Sequence, residues 1–232
     1  MRLLYINLTA NNLQGRLLLN ASAWNQLEVL DVSRNAFCGQ IPSIWPPNVQ
    51  VLLLNDNLLT GYIPPLLQGI SSLEIVNLAN NYLIGTIPPS LANCSKLGNL
   101  NLGDNYLRGI IPYELGKLTE LKVLVLKNNL LSGKFPFSIS NCKELYFLDV
   151  GRNFLEGHIP KSIGNLLELK VLAMRKNDFV GSIPAEIGQL KNLQILDLSS
   201  NQLSGFVPHN IFSLQAMLSE KTSGIFRHLY PH

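Results

Sequence analysis

Leu121-Lys122-Val123-Leu124-Val125-Leu126-Lys127-Asn128-Asn129-Leu130-Leu131-Ser132-Gly133-Lys134-Phe135-Pro136 is the stretch that decides the fold. Leu124 and Leu126 alternate with Val123, Val125 and Lys127, the period-two pattern of a short strand with one buried face. Asn129 stands where that strand must turn. Its amide has both donors and an acceptor, and it can satisfy backbone groups that the turn leaves unpaired. Leaving such groups buried and unmatched costs about 1–3 kcal/mol each. Gly133 suits a sharp bend, and Pro136 suits an extended segment entering a short helical turn.

The same pattern, Leu-x-x-Leu-x-Leu-x-x-Asn-x-Leu-x-Gly-x-Ile-Pro, runs outward in both directions. Its asparagines are Asn11, Asn35, Asn57, Asn81, Asn105, Asn129, Asn153, Asn177 and Asn201, with steps of 24, 22 and then six of 24 residues. The short step falls where Trp45-Pro46-Pro47 replaces the usual outer segment. Nine copies in one phase specify a stack. Each copy runs the same way, so its strands must form a parallel sheet, and its asparagines must form a ladder along the stack. One copy cannot bury its apolar edge alone. Stability comes from burial between neighbours, roughly 1.5–3 kcal/mol per buried Leu or Ile before entropy is subtracted.

Composition agrees. Hydrophobic residues are 47% and charged residues 14%, against about 25% charged in ordinary globular chains. The net charge of +3 is mild, with no Lys/Arg run, which argues against nucleic acid as a partner. No apolar run reaches the roughly 18 residues of a membrane span, and the first eight residues do not read as a signal peptide. Three cysteines, Cys38, Cys94 and Cys142, cannot all pair, and they show no zinc spacing. Cys94 and Cys142 occupy the slot of Leu118, Leu166 and Leu190, and are expected as small core residues. Cys38 occupies a variable slot and is expected to be half-exposed.

The motif resembles the plant-specific class of leucine-rich repeats, and the resemblance covers residues 3–208. It implies a curved leucine-rich-repeat solenoid, with one short parallel strand per 24-residue repeat and a loop or 3-10 convex side. That class occurs in plant receptor kinases, receptor-like proteins and secreted polygalacturonase inhibitors. The order of the last repeats, Leu169 to Pro184, Leu193 to Asn201 and then Leu214 to Met217, is similar to that of receptor-like proteins before their non-repeat island. Residues 1–217 are therefore read as a solenoid of nine repeats without the cysteine-bearing N-terminal cap of the family. Residues 218–232 match no repeat and are read as the start of an island or an aberrant end. The abrupt start at Leu3 makes fraying of the N-terminal edge an expectation.

The inner sheet is the natural docking surface, and most repeats offer one apolar and one or two polar outward groups there. Such a mixture suits an extended peptide. Lys122, Lys127, Arg152, Lys170, Arg175 and Lys176 cluster in repeats six to eight, with Tyr146, Phe147 and Asp149 among them. These nine residues are the candidate site for an acidic or carboxylate-ended ligand, held by charge-assisted bonds. The bland alternative, a solvated cationic face, stays open. The resemblance implies a peptide or protein ligand and a co-receptor or adaptor receptor kinase. Sequons place candidate glycosylation at Asn7, Asn20 and Asn93.

No Gly-x-Gly-x-x-Gly, phosphate-binding loop, His-Glu-x-x-His or Gly-x-Ser-x-Gly occurs, and three of the four histidines lie in the last 24 residues. No catalytic residue, metal site or cofactor is expected. The reading is a non-catalytic, extracellular binding ectodomain of a plasma-membrane receptor-like protein, sensing a peptide or microbial pattern. A receptor kinase ectodomain and a secreted polygalacturonase-inhibitor-like protein are the alternatives.

Overall fold

A computed structural model of the chain describes residues 3–18, 23–65 and 72–214. Residues 218–232 and the sequon at Asn20 lie outside the described residues. In the repeat quoted above, Val123–Val125 is the inner strand. Leu121, Leu124, Leu126, Leu131 and Phe135 are all buried beneath it. Neighbouring copies pair in parallel, with Val123 opposite Asn99 on one side and Phe147 on the other. Nine such strands form one sheet in strict chain order, from Tyr5–Asn7 to Ile195–Asp197. The solenoid read from the sequence is therefore the fold.

A second row of strands goes beyond that reading. The Leu-x-Gly-x segment, expected as a bend, is a strand in the repeats before the last, as at Leu130–Lys134 and Phe154–Gly157, and in the last the strand is only Gln202–Leu203. These strands form a second nine-stranded parallel row on the flank of the stack. Gly133 holds φ at +76°, in the left-handed region. An added Cβ there would also press the Ile110 side chain at 3.0 Å.

The convex side carries 3-10 turns. Pro136, at φ −73° and ψ 126°, is the extended residue that leads into the turn Phe137–Asn141. The ring fixes that φ in advance. The turns stack closely, and a Cβ on Gly164 would lie 2.5 Å from the Glu186 carbonyl oxygen. The 22-residue step is absorbed on this side. Val29 still pairs with Val51 on the inner sheet, while Trp45 is buried in place of a helical turn.

The asparagine ladder forms, but its bonds run from side chain to backbone. Asn129 Nδ2 donates to the carbonyls of Leu126 (3.1 Å) and Lys127 (3.3 Å) in its own turn. It also reaches Leu102 in the preceding repeat at 3.0 Å. Its Oδ1 accepts the Leu107 amide, also of the preceding repeat, at 3.0 Å. Asn57, Asn81, Asn105, Asn153 and Asn177 are buried in the same way. Asn11 has no described repeat before it; its side chain donates to Leu8 and Thr9 of its own turn and stays exposed.

Candidate functional site

The nine candidate residues come to one end of the inner face, but the structure divides them into three groups. The first is a row at the entry to the strands. Tyr146 N donates to Lys122 O at 3.0 Å and Lys170 N donates to Tyr146 O at 2.8 Å, so Lys122, Tyr146 and Lys170 stand side by side. All three are exposed. Lys170 Nζ lies 5.8 Å from the Tyr146 ring centroid, a cation–π distance. None of the ion pairs among the described residues uses Lys122 or Lys170. Beneath this row run Val123, Phe147 and Val171 in register.

The second group is spoken for by acids. Lys127 Nζ lies 3.4 Å from Asp104 Oδ2, and Arg175 Nη1 donates to Asp197 Oδ2 at 3.0 Å. The Arg175 pair is largely shielded, with side-chain exposures of 12% and 20%. Asp149 lies between these pairs and is only 3% exposed. Burial pushes its carboxyl up from the usual range. The Gly151 amide, donating to Oδ1 at 2.9 Å, and the nearby Arg175 and Lys127 charges oppose that rise.

The third group is Arg152 and Lys176. Their backbones hold φ at +56° and +51°, at the turn that follows each inner strand. Both side chains are exposed there, off the strand face proper. The left-handed position recurs in every repeat, and Asp56, Asn80, Asp104 and Asn128 fill it in the middle of the chain. Asp and Asn favour that conformation, and their recurrence was a readable signal. The ion pairs were not readable, because they join residues 22 or 23 positions apart across a stacked edge.

Cys94 and Cys142 are buried core thiols as expected, and Cys38 is half-exposed. Burial pushes the Cys142 thiol up to about 11, against a lowering by Lys143. Asn93 is exposed at the end of the turn Pro89–Asn93, although Cys94 inside its sequon is buried. Asn7 lies on the inner strand Tyr5–Asn7 and donates to the Tyr5 hydroxyl at 3.0 Å. No helix of the described residues is long and apolar enough to cross a membrane.

Comparison with known proteins places this geometry. Leucine-rich-repeat family models match residues 71–131 and, as single repeats, 26–47, 48–70, 144–166 and 192–214; between them they cover well over half of the chain. The Protein STRUBBELIG-RECEPTOR FAMILY 1 of Arabidopsis thaliana is 36% identical over 72 residues, 31% of this chain and 9% of that protein. Among solved structures, the ectodomain of the Arabidopsis thaliana membrane receptor kinase GASSHO1/SCHENGEN3, in complex with CASPARIAN STRIP INTEGRITY FACTOR 2, superposes with a TM-score of 0.91. It is 39% identical, over 92% of this chain and 26% of its own. The Arabidopsis receptor kinase HAESA, in complex with the peptide hormone IDA and the co-receptor SERK1, gives 0.88 at 33% identity, over 92% of this chain and 36% of its own. The chain thus spans about a quarter to a third of the ectodomains it matches. It belongs to the leucine-rich-repeat family, and is similar within it to the ligand-binding ectodomains of plant receptors.

Proposed function

We propose that the chain is a ligand-binding segment of a plant cell-surface receptor, and that it holds an extended, acidic or carboxylate-ended peptide on the inner face. The observation that carries this reading is the row Lys122, Tyr146 and Lys170 above Val123, Phe147 and Val171. Two lysines outside any described ion pair, about two strand spacings or roughly 9.6 Å apart, flank an exposed aromatic ring. An extended peptide could place a carboxylate between the lysines and an apolar side chain on Phe147. Lys127 and Arg175 serve a different purpose, because their acids already neutralise them. Both charges act on the buried Asp149 between them.

The parent is proposed to sit at the plasma membrane with this face outside the cell. It would sense a peptide or microbial pattern in defence or development, together with a co-receptor or adaptor kinase. A parent that carries its own kinase is the second reading. It is favoured by the similarity to GASSHO1/SCHENGEN3 and HAESA, both receptor kinases. The test is an array of synthetic 12-residue peptides that vary in acidic content, probed with the purified chain. Acidic peptides should bind, and Lys122→Glu with Lys170→Glu should abolish those signals. Signals that survive the double reversal would remove the reading.

A further inference from the structure

The flank sheet carries a second surface, which the peptide reading does not use. Its first outward row holds Leu58, Tyr82, Tyr106, Leu130 and Phe154 in successive repeats, each between 44% and 57% exposed. The row is bounded by the chain itself. The same position is Ala36 at one end and Asp178 at the other, where Asp178 accepts a bond from Gln202 at 3.1 Å. Tyr82 and Tyr106 lie near parallel, with centroids 6.1 Å apart and planes 16° from each other.

Facing this row is a polar wall. Asn80 Nδ2 donates to Asp56 Oδ1 at 2.6 Å, and Asn128 Nδ2 donates to Asp104 Oδ1 at 3.0 Å. Between the walls lies a groove of about 560 Å³, with the ladder asparagines among its lining residues. Three features select its occupant. The wall alternates carboxylates with asparagine amides, which together accept and donate bonds, so the ligand must do both. Its carboxylates are already met by cations, Arg34 at 3.9 Å from Asp56 and Lys127 at 3.4 Å from Asp104, so a further positive charge is not demanded. An anion would face the carboxylates directly. Backbone amides that an extended peptide would pair with are taken, since Leu83 N and Leu107 N donate to Asn105 and Asn129.

A neutral molecule with a hydroxyl rim and an apolar ring face meets all three conditions. The groove crosses parallel strands about 4.8 Å apart, close to the length of one pyranose unit, so successive rings can repeat with successive rungs. We propose that this groove binds a neutral, straight, β-linked oligosaccharide, with sugar rings packed along the stacked Tyr82 and Tyr106 row and hydroxyls bonding to Asp56 and Asp104.

Isothermal titration calorimetry on the whole chain tests this, with cellohexaose as the neutral probe, tetragalacturonate as the anionic one and hexa-arginine as the cationic one. Cellohexaose should bind saturably. Tyr82→Ala with Tyr106→Ala should weaken it by about tenfold or more, as truncation of a central contact does. Asp104→Asn, which keeps the shape of the wall and removes its charge, should weaken it less. Lys122→Glu with Lys170→Glu, on the other face, should leave it unchanged, so this result is independent of the peptide reading. Absence of saturable cellohexaose binding would overturn the proposal. So would binding that the tyrosine and Asp104 variants leave intact, or tyrosine-dependent binding of tetragalacturonate or hexa-arginine in its place.

Discussion

Asn129 Nδ2 reaches the carbonyl of Leu102, 27 residues earlier, at 3.0 Å, and so ties one repeat to the one before it. The same side chain holds the Leu107 amide and two carbonyls of its own turn. Asn129→Ala would leave several buried backbone groups unmatched, each costing about 1–3 kcal/mol. Chemical denaturation should show a loss of at least about 2 kcal/mol. Asn11→Ala should cost less than about 0.5 kcal/mol, because Asn11 is exposed and has no preceding rung described. Equal losses at the two sites would contradict the ladder account.

Asp149 offers a test through pH. Burial raises its carboxyl in the folded chain above the unfolded value near 3.9. The folded state therefore holds the proton to higher pH, and the stability tied to it is present in acid and lost as pH rises through the folded value. Asn77 and Asn101 make the same turn with an amide, accepting from Ala79 N and Gly103 N. Asp149→Asn should keep the turn and shed the burial cost, raising stability at pH 7 by on the order of 1 kcal/mol. The gain should shrink towards pH 4. A gain independent of pH, or a loss at pH 7, would show that the carboxylate is favourable where it sits.

Backbone conformation makes two opposite predictions in adjacent repeats. Arg152 occupies left-handed backbone at φ +56°, a conformation costing about 1–2 kcal/mol for a side-chain-bearing residue. Arg152→Gly should therefore stabilise by up to about 1 kcal/mol in thermal melts, while Gly133→Ala, at φ +76°, should destabilise by 1 kcal/mol or more. If both shifts had the same sign, the backbone would not govern them.

Thiol labelling separates the cysteines. Cys142 is buried, its thiol is pushed up to about 11, and its Sγ donates to Leu115 O at 3.6 Å. Cys38 is half-exposed on the strand Ala36–Gln40. Under native conditions at pH 8, Cys38 should react with a soluble thiol reagent at least about a hundredfold faster, since thiolate fraction and access both set the rate. Comparable rates would mean that the repeat around Cys142 opens readily.

The stack, the ladder and the buried slots of Cys94 and Cys142 were all legible in the sequence, because each rests on a pattern that recurs every repeat. The second strand row was not, since Leu-x-Gly-x reads locally as a bend and becomes a strand only when a neighbour pairs with it. The nine candidate site residues were found as a charge cluster, but composition along one strand cannot show what the next strand brings. Asp104 and Asp197 neutralise Lys127 and Arg175 from adjacent repeats, and a left-handed turn carries Arg152 and Lys176 off the strand face. Lys122, Tyr146 and Lys170 remain as the open row because their neighbours at that edge are one another, Gly98 and Gln194, none of them an acid. The Tyr82 and Tyr106 groove is illegible in the sequence for the same reason, since it forms only once the flank strands are stacked.

Site-specific photo-crosslinking asks whether the inner row grips an extended peptide. A photoreactive phenylalanine replaces Tyr146 or Phe147 in turn, with Phe137 on the convex side as the control position. A bound acidic peptide should crosslink at 146 and 147, with the two positions capturing adjacent peptide residues, and should not crosslink at 137. Crosslinks at 137 equal to those at the inner positions, or none at 146 and 147 from a peptide that binds, would contradict the account.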